Sequence, residues 1–356
     1  FWGTSKITMP AIIDIFEKAL RILTVAILIF LFSAKELTTL VTLCYVALCL
    51  GELQSLVLLY FYYRQCAKKL PKTYEKTERR SQLLFNVLII CLPLILNGFL
   101  SNIFNTLSTL VVPRCLITAG FDHTEALAMI GKFSGMAMMI IGIPLIVVSS
   151  INTLLIPDLS QTLVKGNYYD AAVRIRKVIK IAFILGLATT TICCLIPNSL
   201  GELFYQRDDL GKYILYAGLT APVFFTSTTM FGILNGINKQ GIILRNSLIV
   251  AALELVGLYV FTSIPSINIY GYVITLFFTS LVSLVINLYE VKKHIELKLS
   301  LANVIIFTLL AVLTFLVLRT IIRKFFLPLN FANTIFIIIL TFVIFVFWGT
   351  FGEFEE

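Results

Sequence analysis

The chain has 356 residues, of which 59% are hydrophobic and 13% are charged, and its mean hydropathy is +0.96. Soluble globular proteins are about 45–50% apolar and about 25% charged, so this composition excludes a water-soluble core. The formal net charge of +9 would by itself also fit a protein that binds nucleic acid.

Long apolar runs follow one another along almost the whole chain, separated by short connections. A helix crosses the hydrocarbon core of a bilayer with about 20 mainly apolar residues. The runs are continuous rather than alternating, which indicates helices and not barrel strands. The sequence therefore predicts an all-α, polytopic transmembrane helical bundle in the cell membrane, with about ten spans at 11–32, 37–63, 83–112, 133–156, 178–196, 213–234, 247–263, 269–288, 302–322 and 331–350.

The basic residues are distributed unevenly between the two sides of this predicted bundle. If segment 64–82 faces the cytoplasm, twenty of the 28 Lys and Arg residues lie on that side and eight on the other. Such an excess on the cytoplasmic side is typical of membrane proteins. The positive charge is therefore interpreted as a topology signal, and nucleic acid is not expected as a partner.

The basic segment 64–82 is also the most natural divider of the chain. It predicts four parts: the last two helices of an N-terminal lobe at 1–63, a cytoplasmic basic linker at 64–82, a six-helix C-terminal lobe at 83–288, and two additional C-terminal helices at 289–356. On this division the chain is the C-terminal part of a fourteen-helix, two-lobe fold, and four helices are expected to precede it.

Ionisable residues in the first two spans are candidate functional groups, because charge inside a bilayer is costly. In the first span Asp14 and Lys18, and likewise Glu17 and Arg21, are opposite charges four residues apart, a spacing that favours ion pairs on a helix. This cluster is either self-neutralising at the membrane surface or, through Glu17 and Arg21, a gate or a headgroup contact. Glu52, midway along the second span, is either a coupling site for a proton or cation or a neutral acid bonded to a neighbour.

Glu254 and Lys132 lie in the later spans. Glu254 has no basic residue within four positions, so it has the same two interpretations as Glu52. Lys132 begins the fourth predicted span, where its ammonium group either meets an anionic ligand at a cavity mouth or extends to the outer membrane surface.

The third span carries a polar stripe formed by Asn97, Ser101, Asn105 and Ser108. Spacings of four, four and three residues place these side chains on one helix face through three turns. Such a stripe either hydrogen-bonds to another helix or forms the wall of a hydrated pathway. Gly131 and Gly135, four residues apart in the next span, could in addition allow close helix approach.

Signatures of enzymes and of metal sites are missing from the sequence. It contains no Walker loop, no G-x-S-x-G and no H-E-x-x-H, so we do not expect an enzyme. The seven cysteines form no C-x-x-C pair, and only two histidines are present. Neither a metal nor a cofactor is therefore expected.

Several short segments resemble one family, the polysaccharide exporters related to stage V sporulation protein B. The family's eighth helix is resembled by segments 131–136, 142–144 and 155–160. Its tenth-to-twelfth helix region is resembled by 234–240 and 267–271, and its fifth helix by 1–3 and 10–17. The family belongs to the same superfamily as multidrug and toxin extrusion antiporters and lipid II flippases. The resemblance implies two six-helix lobes around a central cavity, two extra C-terminal helices and alternating access.

The function implied by this resemblance is transport of a lipid-linked peptidoglycan or polysaccharide precursor across the cytoplasmic membrane, in sporulation. Such a substrate needs cations for its pyrophosphate, for which Lys132 and Arg21 are candidates, and hydrogen-bonding groups for its sugars, for which Asn97 and Asn105 are candidates. Membrane lipids and cell-wall synthesis proteins are the other expected partners. Two alternatives stay open: a cation-coupled multidrug antiporter using Glu254, and a non-transporting scaffold that recruits cell-wall synthases through segment 64–82.

Overall fold

The structure is a computed structural model that describes residues 8–32, 37–68, 80–297, 300–324 and 331–351. The described chain is helical throughout, with no β-strand, as the sequence predicted. A π-helical segment, Gly131–Ala137, separates α4 from α5. The α-helices are α1 (Thr8–Phe32), α2 (Leu37–Lys68), α3 (Arg80–Thr118), α4 (His123–Ile130), α5 (Met138–Val164), α6 (Tyr168–Leu195), α7 (Pro197–Tyr205), α8 (Gly211–Gly236), α9 (Gln240–Thr262), α10 (Tyr270–Lys292), α11 (Leu301–Lys324) and α12 (Phe331–Phe351).

The chain divides into two compact units, Phe1–Arg80 and Ser81–Glu356. In the smaller unit α1 packs against α2. In the larger unit α8 is the central helix and contacts α5, α6 and α10, while α9 packs on α10. The finer division into 1–63, 64–82, 83–288 and 289–356 remains a prediction.

Nine helices of the described chain are long and apolar enough to cross a membrane. They coincide with nine of the ten predicted spans. The remaining predicted span, 11–32, corresponds to α1. This helix has 25 residues, and four ionisable side chains interrupt its apolar length. Most helices extend past the predicted limits, because polar first and last turns continue the helix beyond the apolar run; α3, for example, covers Arg80–Thr118 where the sequence predicted 83–112.

The helix that contains the fourth predicted span, 133–156, begins ten residues before that span. The α4, π and α5 segments form one continuous helix from His123 to Val164. It begins with a capping box, in which the Thr124 backbone N–H donates to Asp122 and the Asp122 backbone N–H donates to Glu125. An Asp followed three residues later by a Glu is a sequence signature of a helix N-terminus.

Close packing around α8 depends on glycines other than Gly131 and Gly135, the two for which the sequence predicted close helix approach. A Cβ atom on Gly218 would lie 2.4 Å from Cys193 Cβ, and one on Gly186 would lie 2.5 Å from Pro222 Cα. These contacts join α6 to α8, and Gly232 and Gly236 similarly admit side chains of α5. Small residues allow backbones to approach closely in membrane bundles.

Close approach at Gly131 and Gly135 is not observed. A Cβ atom on either residue would meet no atom of the described residues within 4 Å. Both glycines lie in the π-helical segment and are exposed, so the face that they share points away from the rest of the described bundle.

Candidate functional site

The larger unit contains a cavity of about 420 Å³ between α3, α8, α9 and α10. Its polar lining consists of eight hydroxyl side chains, two amides and one carboxyl group: Ser101, Ser108, Ser227, Thr228, Ser247, Thr279, Ser280, Ser283, Asn105, Asn287 and Glu254. Phe104, Phe224 and Phe231 form much of the apolar lining. No Lys or Arg lines this cavity within the parts of the chain that are described. Its surface is therefore polar but carries little charge.

The polar stripe of α3 faces this cavity. Ser101, Asn105 and Ser108 line it, as the helical spacing of the stripe allows. Asn97, one turn earlier, does not line the cavity. Its side-chain oxygen instead accepts a hydrogen bond from the hydroxyl of Ser247 on α9. The stripe thus combines the two roles that the sequence left open, helix attachment and cavity wall.

Glu254 of α9 also lines the cavity. Across the described residues no ion pair or hydrogen bond to its carboxyl group is present, although the group interacts electrostatically with the Tyr272 hydroxyl. Among those same residues, no three His, Cys, Asp or Glu side chains come together as a metal site requires.

A polar network joins α9 to α10 at one end of the cavity, and sequence reasoning missed it. The Arg245 guanidinium donates to Glu290 at 2.6 Å and to the Asn246 side chain at 3.1 Å. Asn246 donates to Asn287 at 2.8 Å, and Asn287 donates to the Ser283 hydroxyl at 3.2 Å. Asn246 and Asn287 are buried, so this network is a fixed part of the wall.

Lys132 lies away from the cavity, in an ion-paired cluster. Its ammonium group is 2.7 Å from the Asp209 carboxylate in the α7–α8 connection. Arg207 also binds Asp209, through two hydrogen bonds of 2.9 and 2.7 Å. The Arg207 and Lys132 donors hold the pKa of the Asp209 carboxyl well below its ordinary range.

The remaining predicted residues, Glu17, Arg21 and Glu52, meet in the smaller unit. Arg21 bonds to Glu17 on its own helix and, at 2.9 Å, to Glu52 on α2. Glu17 is buried, whereas Glu52 is exposed. One guanidinium group is therefore shared by two carboxylates. Asp14 and Lys18 pair separately at 2.5 Å and are exposed.

Comparison with known proteins yields a family model and relatives by sequence. The MatE family model matches residues 93–260. Stage V sporulation protein B of Bacillus subtilis is 21% identical over 76% of this chain and 53% of its own length. Sporulation protein YkvU of the same organism is 22% identical over 60% of this chain and 48% of its own length. The chain spans about half the length of the curated relatives it matches.

Solved structures show the same fold. The lipid II flippase MurJ in an inward closed conformation matches with a TM-score of 0.64, over 97% of this chain and 68% of that chain, at 13% identity. A MATE transporter in the bent conformation matches with a TM-score of 0.63, over 80% of this chain and 61% of that chain, at 17% identity. These likenesses agree with the resemblance found in the sequence. The chain is thus a multi-pass cell-membrane protein that has the fold of these transporters and is similar to the MatE family over residues 93–260.

Proposed function

We propose that the protein moves a lipid-linked cell-wall precursor, of peptidoglycan or polysaccharide, across the cytoplasmic membrane by alternating access, in sporulation. The observation that carries this proposal is the polar cavity within an otherwise apolar helical bundle. The sugar headgroup of such a precursor cannot cross hydrocarbon unaided, because its hydroxyl groups would lose their hydrogen bonds to water. A hydrated cavity removes that penalty.

The composition of the cavity indicates which part of the precursor it accommodates. Hydroxyl, amide and carboxyl groups offer both donors and acceptors, as a saccharide with its many hydroxyls requires. Among the described residues, the cavity lining has none of the cations that a pyrophosphate would need. We therefore assign the uncharged saccharide to this cavity.

A phosphate contact at Lys132 or at Arg21 would have a competitor at each position. A phosphate at Lys132 would compete with Asp209, and one at Arg21 would compete with Glu17 and Glu52. Both residues stay candidates for the pyrophosphate, and each would bind it only after its carboxylate partner is displaced.

The test uses the full-length protein in proteoliposomes with a fluorescent polyprenyl-pyrophosphate disaccharide. Accessibility of the fluorophore to an impermeant quencher measures its transfer between leaflets. Asn105→Leu removes an amide from the cavity wall and should slow transfer at least tenfold. Asn102→Leu is the matched control, because Asn102 is an exposed residue of the same helix that does not line the cavity. Equal rates for the two variants, or no transfer by the unaltered protein, would refute the proposal.

A second candidate, a cation-coupled multidrug antiporter of the same fold, is supported by Glu254. This carboxyl group faces the cavity without an ion-pair partner in the described structure, as a coupling site for a proton or a cation would. Glu254→Gln keeps the hydrogen-bonding shape and removes the charge. Loss of ion-gradient-driven export of a lipophilic cation in this variant, with precursor transfer absent from the unaltered protein, would favour the antiporter. The scaffold alternative depends on segment 64–82, of which residues 69–79 lie outside the described residues.

A further inference from the structure

The C-terminal turns of α11 carry a cationic face of four residues, Arg319, Thr320, Arg323 and Lys324. With Leu316 they border a groove of about 550 Å³. Residues spaced by three or four positions lie on one side of a helix, so the three positive charges point to the same region. All four side chains are exposed.

The positive charges of this face are not neutralised within the described structure. None of its eight salt bridges involves Arg319, Arg323 or Lys324. The following segment, 325–330, contains no acidic residue. The guanidinium carbon of Arg319 lies 5.7 Å from the centre of the Phe315 ring. The Thr320 hydroxyl donates to the Leu316 carbonyl at 2.7 Å, so the donors left for a ligand are the guanidinium and ammonium groups.

Membrane orientation does not explain these charges. In the predicted topology the end of α11 lies on the side opposite segment 64–82, where only eight of the 28 basic residues are found. Three of those eight are on this one face. The positive-inside preference acts against such a cluster.

The surface next to the cationic face is apolar and exposed. Leu309, Leu313 and Leu316 precede it on the same side of α11 and are 62%, 54% and 52% exposed. In a membrane these side chains contact acyl chains. The order along the helix, an apolar tract followed by a cationic face, matches an amphipathic lipid whose tails are apolar and whose headgroup is negative.

We propose that this side of α11 binds an anionic phospholipid, with the headgroup phosphate at Arg319, Arg323 and Lys324 and the acyl chains along Leu309, Leu313 and Leu316. Guanidinium groups bind phosphate oxygens through charge-assisted, often bidentate, hydrogen bonds. The apolar tract distinguishes this ligand from a free phosphate ion, which would gain nothing from it. The site is independent of the cavity and of the transport proposed there.

The test is native mass spectrometry of the purified full-length protein with phosphatidylglycerol or phosphatidylcholine. We expect the unaltered protein to prefer phosphatidylglycerol. Each cation near an anionic lipid contributes about a fivefold change in affinity. The triple variant R319Q/R323Q/K324Q should therefore lose most of the preference, and R323Q alone should lose about fivefold if the triple variant does not fold. Arg207→Gln is the matched control, because that cation is already paired with Asp209.

Three results would overturn the proposal. The first is equal binding of the two lipids by the unaltered protein. The second is a phosphatidylglycerol preference that survives in R319Q/R323Q/K324Q. The third is displacement of the bound lipid by millimolar inorganic phosphate, which would show that the face recognises the ion and not the lipid.

Discussion

The Asn97 side-chain oxygen accepts a hydrogen bond from the Ser247 hydroxyl and so joins α3 to α9 beside the cavity, across 150 positions of sequence. Ser247 itself lines the cavity, and its single hydroxyl hydrogen is shared between Asn97 and the Leu244 carbonyl, which lies 3.0 Å from the Ser247 oxygen. Helix α3 otherwise packs lightly on the bundle, mainly through Val112, Cys115 and Leu116 near its C-terminal end. This contact therefore holds the part of α3 that is least supported by packing.

We expect Ser247→Ala to reduce the free energy of unfolding by about 0.6 kcal/mol, the average for hydrogen bonds between membrane helices. Asn97→Leu should cost a similar amount. The double variant should cost little more than either single change, because both remove the same bond. Steric-trapping measurements of unfolding in bicelles would check this, and additive losses would contradict it.

The Arg245–Glu290 pair should stabilise the α9–α10 contact more than a surface ion pair does. Glu290 is only 8% exposed, and Arg245→Met would leave its carboxylate buried with Lys293, 3.4 Å away, as the remaining cation. We expect a cost of about 1–3 kcal/mol, which Arg245→Met combined with Glu290→Met should partly restore. A double-mutant cycle on unfolding free energies measures the coupling.

The control for that cycle is Arg174 and Asp158, a pair in the same unit whose side chains are 42% and 49% exposed. Exposed pairs contribute about 0–1 kcal/mol. A coupling in the control as large as that between Arg245 and Glu290 would show that burial is not the source of the difference.

The cluster of Lys132, Arg207 and Asp209 predicts a defined pH dependence. The pKa of Asp209 is lower in the folded protein than its ordinary value of about 4. A lowered pKa contributes stability above the unfolded value, and that contribution is lost as pH falls towards the folded value. The difference in melting temperature between the unaltered protein and Asp209→Asn should be constant from pH 8 to about pH 5 and shrink below about pH 4. A difference that shrinks near neutral pH would exclude this explanation.

Gly218→Ala should destabilise the larger unit by about 1–3 kcal/mol, because the new methyl group would overlap Cys193. Gly142→Ala is the matched control, since a Cβ atom there meets nothing within 4 Å. Alanine is the better helix former, so the control should be neutral or stabilising by about 0.5–1 kcal/mol. Thermal unfolding followed by circular dichroism separates the two, and a stable Gly218→Ala variant would contradict the packing argument.

The sequence predicted the features that depend on neighbours along one helix. The pairs of Asp14 with Lys18 and of Glu17 with Arg21 follow from the four-residue spacing, and the same periodicity puts Ser101 and Asn105 on one face. The apolar runs similarly predicted ten spans, nine of which coincide with membrane-length helices of the described structure, because bilayer thickness fixes their length.

Features that require knowledge of a second helix were not predicted. The spacing of Asn97 within α3 does not reveal Ser247 as its partner, and Lys132 gives no local sign of Asp209, 77 positions later. The prediction of close helix approach at two glycines was wrong for the same reason. Gly131 and Gly135 match a known motif, yet a Cβ atom on either would meet no described atom within 4 Å, whereas Gly186 and Gly218 lie against Pro222 and Cys193.

The glycine contacts around α8 restrict how the cavity can change shape. Because α5 and α6 sit against α8 where not even a methyl group fits, sliding any one of these three helices past the others would cause steric overlap. The three helices are expected to move together as one rigid block, and the part of the cavity wall that α8 forms moves with them. Widening or narrowing of the cavity is then expected to come from its other walls, α3, α9 and α10, of which α3 is joined to α9 by the bond between Asn97 and Ser247.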